Sequence, residues 1–270
     1  MLEDGARRID VLSDGHLVLP RSFVFEPIPD EVTAEMSAAF DLGETIEPPC
    51  NLTLLRDGEA AVLFDAGSGA EFMPTAGRLW EAIGAIGVAP DEITHLVLTH
   101  AHPDHLWGLL DDFGDPAFPE AEVLIGAAER AYWTDPATVE SIGAARQAFA
   151  VGAARRLGEV ATTAFEDGDE VAPGVVARLT PGHTPGHMSF EVAMDGAPLT
   201  VIGDAIGNHH VAMRHPALPS GADQDAGLAA QTRLALLSAL TGAPAVGFHL
   251  PGGLGSVRAD GGAYAWEPSS

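Results

Sequence analysis

The stretch Thr99-His100-Ala101-His102-Pro103-Asp104-His105 follows the apolar run Ile93 to Leu98 and packs three imidazoles and a carboxylate into six positions. On an extended segment side chains two apart point the same way, so His100 and His102 face one point together. Pro103 bends the chain beyond them and lets Asp104 and His105 face a second point nearby. Neutral imidazole is the commonest ligand of zinc and its neighbours, and a carboxylate adds charge compensation. Four such groups left without partners at the end of a buried strand would cost several kcal/mol. The stretch therefore reads as the seat of two cations rather than as a set of packed histidines.

Three further predicted strand ends carry residues of the same kind. Thr180-Pro181-Gly182-His183-Thr184-Pro185-Gly186-His187 is a tight loop with two histidines; Gly203-Asp204 ends the apolar run Leu199 to Ile202; His249 ends Ala245 to Phe248. Singly, each has a plain structural reading: a turn histidine, an Asx turn, and a histidine packed beside Pro251. Their recurrence at strand termini points to one cluster.

Around these ends, periodicity places the elements. Ile9 to Leu12 and His16 to Leu19 are predicted to form a hairpin turned at Ser13-Asp14-Gly15, and Asn51 to Arg56 with Ala60 to Phe64 a second one turned at Asp57-Gly58. The acidic segment Pro27 to Pro49 contains a short predicted helix over Glu31 to Phe40, placed over the mouth of a site. Helical spacing covers Pro74 to Gly87, His105 to Leu110, Ala127 to Trp133 and Thr138 to Leu157. Short strands are expected over Ala121 to Ile125, Val160 to Phe165, Val175 to Thr180 and Met188 to Met194, and a strand near the C-terminus over Tyr264 to Trp266. Asp223 is the expected cap of a helix running to Leu240, with Leu228, Leu234, Leu237 and Leu240 on its apolar side. Helices spaced among strands argue for a layered α/β domain with the sheet inside.

At 270 residues the composition is globular, and one domain over 1–270 is expected. A formal net charge of -26, with no lysine and all 13 basic side chains arginine, excludes nucleic acid and anionic membrane as natural partners. Cys50 is the only cysteine, which rules out an intramolecular disulfide and favours a small buried packing role. Met1 to Asp10 is charged, without the apolar stretch of a signal peptide, so a cytoplasmic enzyme is expected.

The order HAHPDH, then GHTPGH, then Asp204, then His249 resembles the metallo-β-lactamase fold superfamily from about Leu52 to His249. HLPGGLG around His249, DAGSGAEFMPTAGRL and HHVAMRHPA are most similar to its branch of methyl parathion hydrolase and related lactonases. The resemblance implies a four-layer αββα sandwich, with two mixed sheets inside, helices outside, and a site at the rim between the sheets. It also implies that His100, His102 and His187 hold a first metal, Asp104, His105 and His249 a second, and Asp204 both. His183 would stand outside this set, and Asp65 would brace the histidine-rich turn.

By the same resemblance the cofactor is two divalent ions, zinc first, with Mn2+ or Fe2+ as alternatives. Four positive charges less two carboxylates and one shared hydroxide leave about one, suited to an oxyanion developing during attack on a carbonyl or phosphorus. Asp104 or a metal-bound water would pass a proton to the leaving group. The expected partner is a small neutral or weakly charged lactone, ester or phosphotriester in an apolar pocket built from Phe72, Met73, Trp107, His209, His210 and Met213; a homodimer is left open. Lactonases of this fold often carry a tyrosine after the bridging aspartate, where this chain reads Ala205-Ile206-Gly207-Asn208-His209. The alternatives are an iron-dependent oxidoreductase of the same fold, of the persulfide dioxygenase kind, and a non-catalytic metal-stabilised binding protein. The absence of lysine weighs against glutathione thioesters and β-lactam carboxylates held by that residue.

Overall fold

Alternation along the strands decides the layers. In Ala60–Phe64, Val62 and Phe64 turn to one apolar cluster and Ala61 and Leu63 to another; in His95–Leu98, Val97 joins the first and Leu96 and Leu98 the second. Both faces of these strands are buried, which is why their sequences read as continuous apolar runs. The computed structural model describes residues 1–269.

One seven-stranded sheet has the order Leu2–Asp4, Arg7–His16, Pro49–Asp57, Ala60–Phe64, His95–Leu98, Glu122–Gly126, Thr163–Phe165, antiparallel at first and parallel from Ala60–Phe64 onward. The second runs Glu170–Ala172, Val175–Leu179, Met188–Val192, Leu199–Val201, Pro244–Val246, Leu254–Asp260, Ala263–Pro268, antiparallel except where Leu199–Val201 meets Pro244–Val246. The sheets face each other across Phe64, Val97, Val175, Phe190 and Val201. Helices Leu79–Ala85, Ala127–Thr134 and Gln147–Glu159 contribute Leu79, Ile83, Trp133, Ala150 and Leu157 to the outer layer of the first sheet. Helix Ala226–Leu240 covers the second with Leu237 and Leu240. The result is the expected α/β sandwich of two mixed sheets with helices outside. A fourth cluster, Val24, Phe25, Ile28, Met36, Ile46 and Val211, knits helices Arg21–Phe25 and Asp30–Phe40 into a cap. Among the described residues no helix is long and apolar enough to cross a membrane.

Four local expectations are corrected. Asp14-Gly15 is no hairpin turn: Arg7–His16 is one strand paired along Pro49–Asp57, with a register shift between Ser13 and His16. Asp14 turns inward instead, and its buried carboxylate accepts the backbone N–H groups of Ser68 and Leu79. The helix expected from Pro74 begins only at Leu79, because Gly77 takes a left-handed φ of 78°. Thr138 to Leu157 is two helices, Pro136–Ser141 and Gln147–Glu159, parted at Gly143 with φ 91°. Asp225, not Asp223, caps helix Ala226–Leu240 by accepting from the Leu228 N–H, and Leu228 and Leu234 lie on its exposed side.

Candidate metal centre

Strand His95–Leu98 ends at Thr99, where a buried acid holds the turn that follows. Asp65 has a left-handed φ of 68°, unusual for a residue with a side chain. From that position it accepts the Thr99 N–H at 2.7 Å and binds His105 Nδ1 at 2.7 Å. His105 Nε2 is thereby aimed inward. Pro103 opens the short helix Pro103–Leu106, which presents Asp104 and His105 together. A second buried acid, Glu129, accepts from Ala101 N and Trp133 Nε1 with one oxygen and from Thr184 Oγ1 and Gly186 N with the other. It ties the HAHPDH turn to the GHTPGH loop.

The residues singled out from the four strand ends converge. His100 Nε2 lies 3.0 Å from His102 Nδ1, which lies 2.9 Å from His183 Nε2. Three ring nitrogens thus face one another, and a proton can sit between only one pair of them at a time. Alongside, His249 Nε2 is 3.2 Å from both Asp104 Oδ2 and Asp204 Oδ2, and His105 Nε2 is 3.3 Å from Asp204 Oδ1. Asp204 Oδ2 is also 3.3 Å from His183 Nε2, so this one carboxylate touches both groups. His249 is oriented by donation from Nδ1 to the Pro49 carbonyl.

The two histidines of the loop exchange the places expected of them. His187 Nε2 accepts the Asp204 backbone N–H at 2.9 Å and its Nδ1 contacts Thr180 Oγ1 at 2.8 Å, which leaves no lone pair for a cation. His183 stands with His100 and His102, its Nδ1 donating to Asp223 Oδ1 at 3.1 Å. Asp223 in turn accepts from Arg233 at 2.6 Å. Glycine decides the packing here: a Cβ on Gly186 would lie 2.1 Å from Glu129 N, and one on Gly182 2.2 Å from Ala229 N. Cys50 is buried as expected, but its sulfur belongs to a cluster with Asp104 and His249.

Electrostatics divides the rings into two kinds. Burial, reinforced by neighbouring imidazoles, holds His100 and His102 well below the ordinary histidine range and pushes His187 down to about 3. Burial opposes charge on His105 too, yet Asp204, Asp65 and Asp104 override it and lift the ring to about 10. His249 is likewise lifted, by Asp204 and Asp104 against burial. Desolvation would raise Asp104 and Asp204, but the charges of His105 and His249 keep both carboxylates low. Two buried acids therefore demand positive charge, which protons supply here and divalent ions would supply in their stead. Asp104 Oδ2, His105 Nε2 and Asp204 Oδ1 have no hydrogen-bond partner despite full burial, and three groups of His, Asp or Cys ligand atoms each lie within 4.8 Å of one another. The donor set fits a pair of divalent cations.

The cluster floors a cavity of about 520 Å³. Leu17, Leu19, Phe23, Leu42 and Ile46 from the cap region form one wall, and Phe72, Met73 and Phe149 form another. His209 and His210 line it as expected, with Phe40 of the helix Asp30–Phe40 packed on His209. Trp107 and Met213 do not: Trp107 lies under the Arg156 guanidinium at 4.4 Å, and Met213 is fully buried against helix Ala226–Leu240.

Residues 46–247 match the metallo-beta-lactamase superfamily. The chain belongs to that superfamily. Among solved structures it is similar to the hydrolase AbOPH of the beta lactamase superfamily, at 27% identity and TM-score 0.91 over 100% of this chain and 96% of that one. The dizinc quorum-quenching lactonase AidC, solved with a homoserine product, shares the fold at TM-score 0.91 and 24% identity, over 100% of this chain and 96% of that one. Hydroxyacylglutathione hydrolase of Fuscovulum blasticum is 29% identical over 161 residues, 58% of this chain and 50% of that protein. The chain spans about half the length of that curated relative. This metallo-beta-lactamase superfamily member thus keeps a His and Asp cluster compatible with a dinuclear site.

Proposed function

We propose that this chain is a dinuclear metal-dependent hydrolase of a small, neutral or weakly charged lactone, ester or phosphotriester. The observation that carries the reading is the convergence of His100, His102, His183, Asp104, His105, His249 and Asp204 at the floor of an apolar cavity. His100, His102 and His183 would hold one ion, Asp104, His105 and His249 the other, and Asp204 both. When bound, such ions, zinc or else manganese or iron, supply a water acidic enough to act as a nucleophile near neutral pH and a Lewis acid for the substrate oxygen.

The chain's own groups supply the rest. Asp223 fixes the ring of His183, Asp65 that of His105, and the Pro49 carbonyl that of His249, so each donor nitrogen is aimed before any ion arrives. His187 holds the Asp204 backbone in place through its N–H. Asp104 Oδ2 has no hydrogen-bond partner and, held as a carboxylate, would take the proton released by the attacking water and pass it to the leaving-group oxygen. The apolar walls exclude bulk water and take up the hydrocarbon part of the substrate. Likeness to AbOPH, a hydrolase, supports the reaction class. Completeness of both donor groups favours hydrolysis over a one-ion iron oxidoreductase.

Metal analysis of the purified chain followed by a screen of lactones, aryl esters and phosphotriesters tests the reading. About two equivalents of metal and turnover of at least one of these classes are expected. One iron per chain with oxygen consumption on a persulfide would select the oxidoreductase instead, and full metal loading without turnover of any class would leave a binding protein.

A further inference from the structure

Among the described residues two arginines line the cavity, Arg146 and Arg233, beside the histidines of its floor. Arg233 is committed, since its guanidinium donates to Asp223 Oδ2 at 2.6 Å and to the carbonyls of Pro216 and Leu218. Arg146 differs. Its Nη2 donates to the carbonyls of Gly221 and Ala222 at 2.6 and 3.1 Å, which orient the group without neutralising it. Among the described residues no carboxylate oxygen lies within 4.0 Å of it. Asp223, next to Ala222, is the acid whose charge acts on Arg146, but that carboxylate is already bonded to His183 and Arg233. Arg146 stands on the turn Ala144–Arg146 that opens helix Gln147–Glu159, whose Phe149 also lines the cavity and packs its ring 6.4 Å from that of His102. Its charge reaches the His102 ring.

Resting on the hydrolase reading, we propose that Arg146 is the anion anchor of this cavity and receives a single carboxylate, carried by the substrate or freed by its hydrolysis. Hydrolysis adds water across the acyl C–O bond and leaves an alcohol, a carboxylate and one proton, so the second source is present in every turnover of an ester or lactone. Nη1 and Nε remain available on separate edges of the guanidinium, each able to donate a single charge-assisted hydrogen bond to a carboxylate oxygen. Asp41 and Glu47 line the same cavity from its exposed side, which sets the field against ligands with several negative charges. Arg146 then selects one anionic group on an otherwise apolar molecule.

Arg146 could instead serve only to clamp Gly221 and Ala222 to the helix, and the test separates the two roles. Calorimetry on the metal-loaded chain would compare the monoanilide of glutaric acid with pentanoic acid anilide, a pair alike in shape in which one bears a carboxylate and both resist hydrolysis. The acid should bind more tightly, and Arg146→Gln should reduce the acid-to-neutral affinity ratio about tenfold. Arg146→Lys should restore part of the ratio. An unchanged ratio, or equal weakening of both probes, would overturn the proposal in favour of the clamp. The 4-nitrophenyl monoester of glutaric acid set against 4-nitrophenyl pentanoate then identifies the source. A selective rise of KM for the acid in Arg146→Gln points to the substrate, and selective relief of inhibition by pentanoate points to the product. Because the anilides are not turned over, their binding stands even if no ester is hydrolysed, in which case the hydrolase reading alone fails.

Discussion

The buried carboxylate of Glu129 accepts the backbone N–H of Ala101 at 2.9 Å. Its other oxygen accepts from Thr184 and Gly186, and Trp133 of its own helix completes the set, so one acid carries four donors, three of them from the HAHPDH and GHTPGH loops. Burial pushes this carboxyl up while the four donors pull it down. Glu129→Gln keeps the shape but turns an amide NH2 toward donors, leaving at least one buried N–H unpaired. The variant should lose about 3 kcal/mol in denaturant unfolding and bind metal more weakly. A loss near zero would mean that the two loops are held by other contacts.

His183→Ala and His187→Ala should fail in different ways. The first removes a donor from the His100 and His102 group and should reduce bound metal below two equivalents, with turnover falling by about a hundredfold or more. The second removes the acceptor of the Asp204 N–H and should appear first as lost stability, about 2 kcal/mol. Metal analysis and thermal unfolding of the two variants side by side check the assignment; metal loss confined to His187→Ala would reverse it.

Gly186→Ala places a methyl group 2.1 Å from the backbone nitrogen of Glu129. Backbone cannot step aside as a side chain can, so the loop must move away from helix Ala127–Thr134 and take His183 with it. The expected loss is at least about 3 kcal/mol, read by unfolding. A soluble variant with wild-type stability would show that the loop is free to shift.

His210 gives a pH dependence of defined sign. Burial, with a smaller push from His209, lowers its pKa from 6.5 to about 3. The unfolded chain therefore takes up a proton as pH falls through 6.5 while the folded one stays neutral, and stability drops progressively from there to about pH 3. His210→Asn keeps a side-chain acceptor for the Val211 N–H, which Nδ1 now accepts at 2.9 Å. It should flatten that part of the acid stability profile measured by denaturant unfolding. A profile as steep as the wild type would assign the acid sensitivity to other groups.

The histidine-rich turn was legible because its density admits few other readings, and the continuous apolar strands because both their faces are buried. What spacing could not decide was which histidine of GHTPGH faces the cluster. That choice is made by tertiary partners, Asp223 for His183 and Thr180 with the Asp204 N–H for His187. Asp223 looked like a helix cap because it sits near a helix start, yet Asp225 does that work. Asp14-Gly15 has the form of a turn, but the N–H groups that claim Asp14 come from Ser68 and Leu79, more than fifty residues away. Glu129, beside Arg130 in an alanine-rich helix turn, reads as a solvated charge and gave no local signal of its four buried donors.

The donors are divided between the two sheets. His100, His102, Asp104 and His105 follow a strand of the first, while His183, Asp204 and His249 belong to loops at strand ends of the second. Asn51, on the first sheet, adds a polar stitch by donating to the carbonyls of Phe248 and Leu250. Ions gripped from both sides would act as rivets through the seam, held by neither leaf alone. Stripping the rivets with a chelator should let the leaves part sooner on heating, and a chain cut between its two halves would regain a metal pair only as the leaves close again.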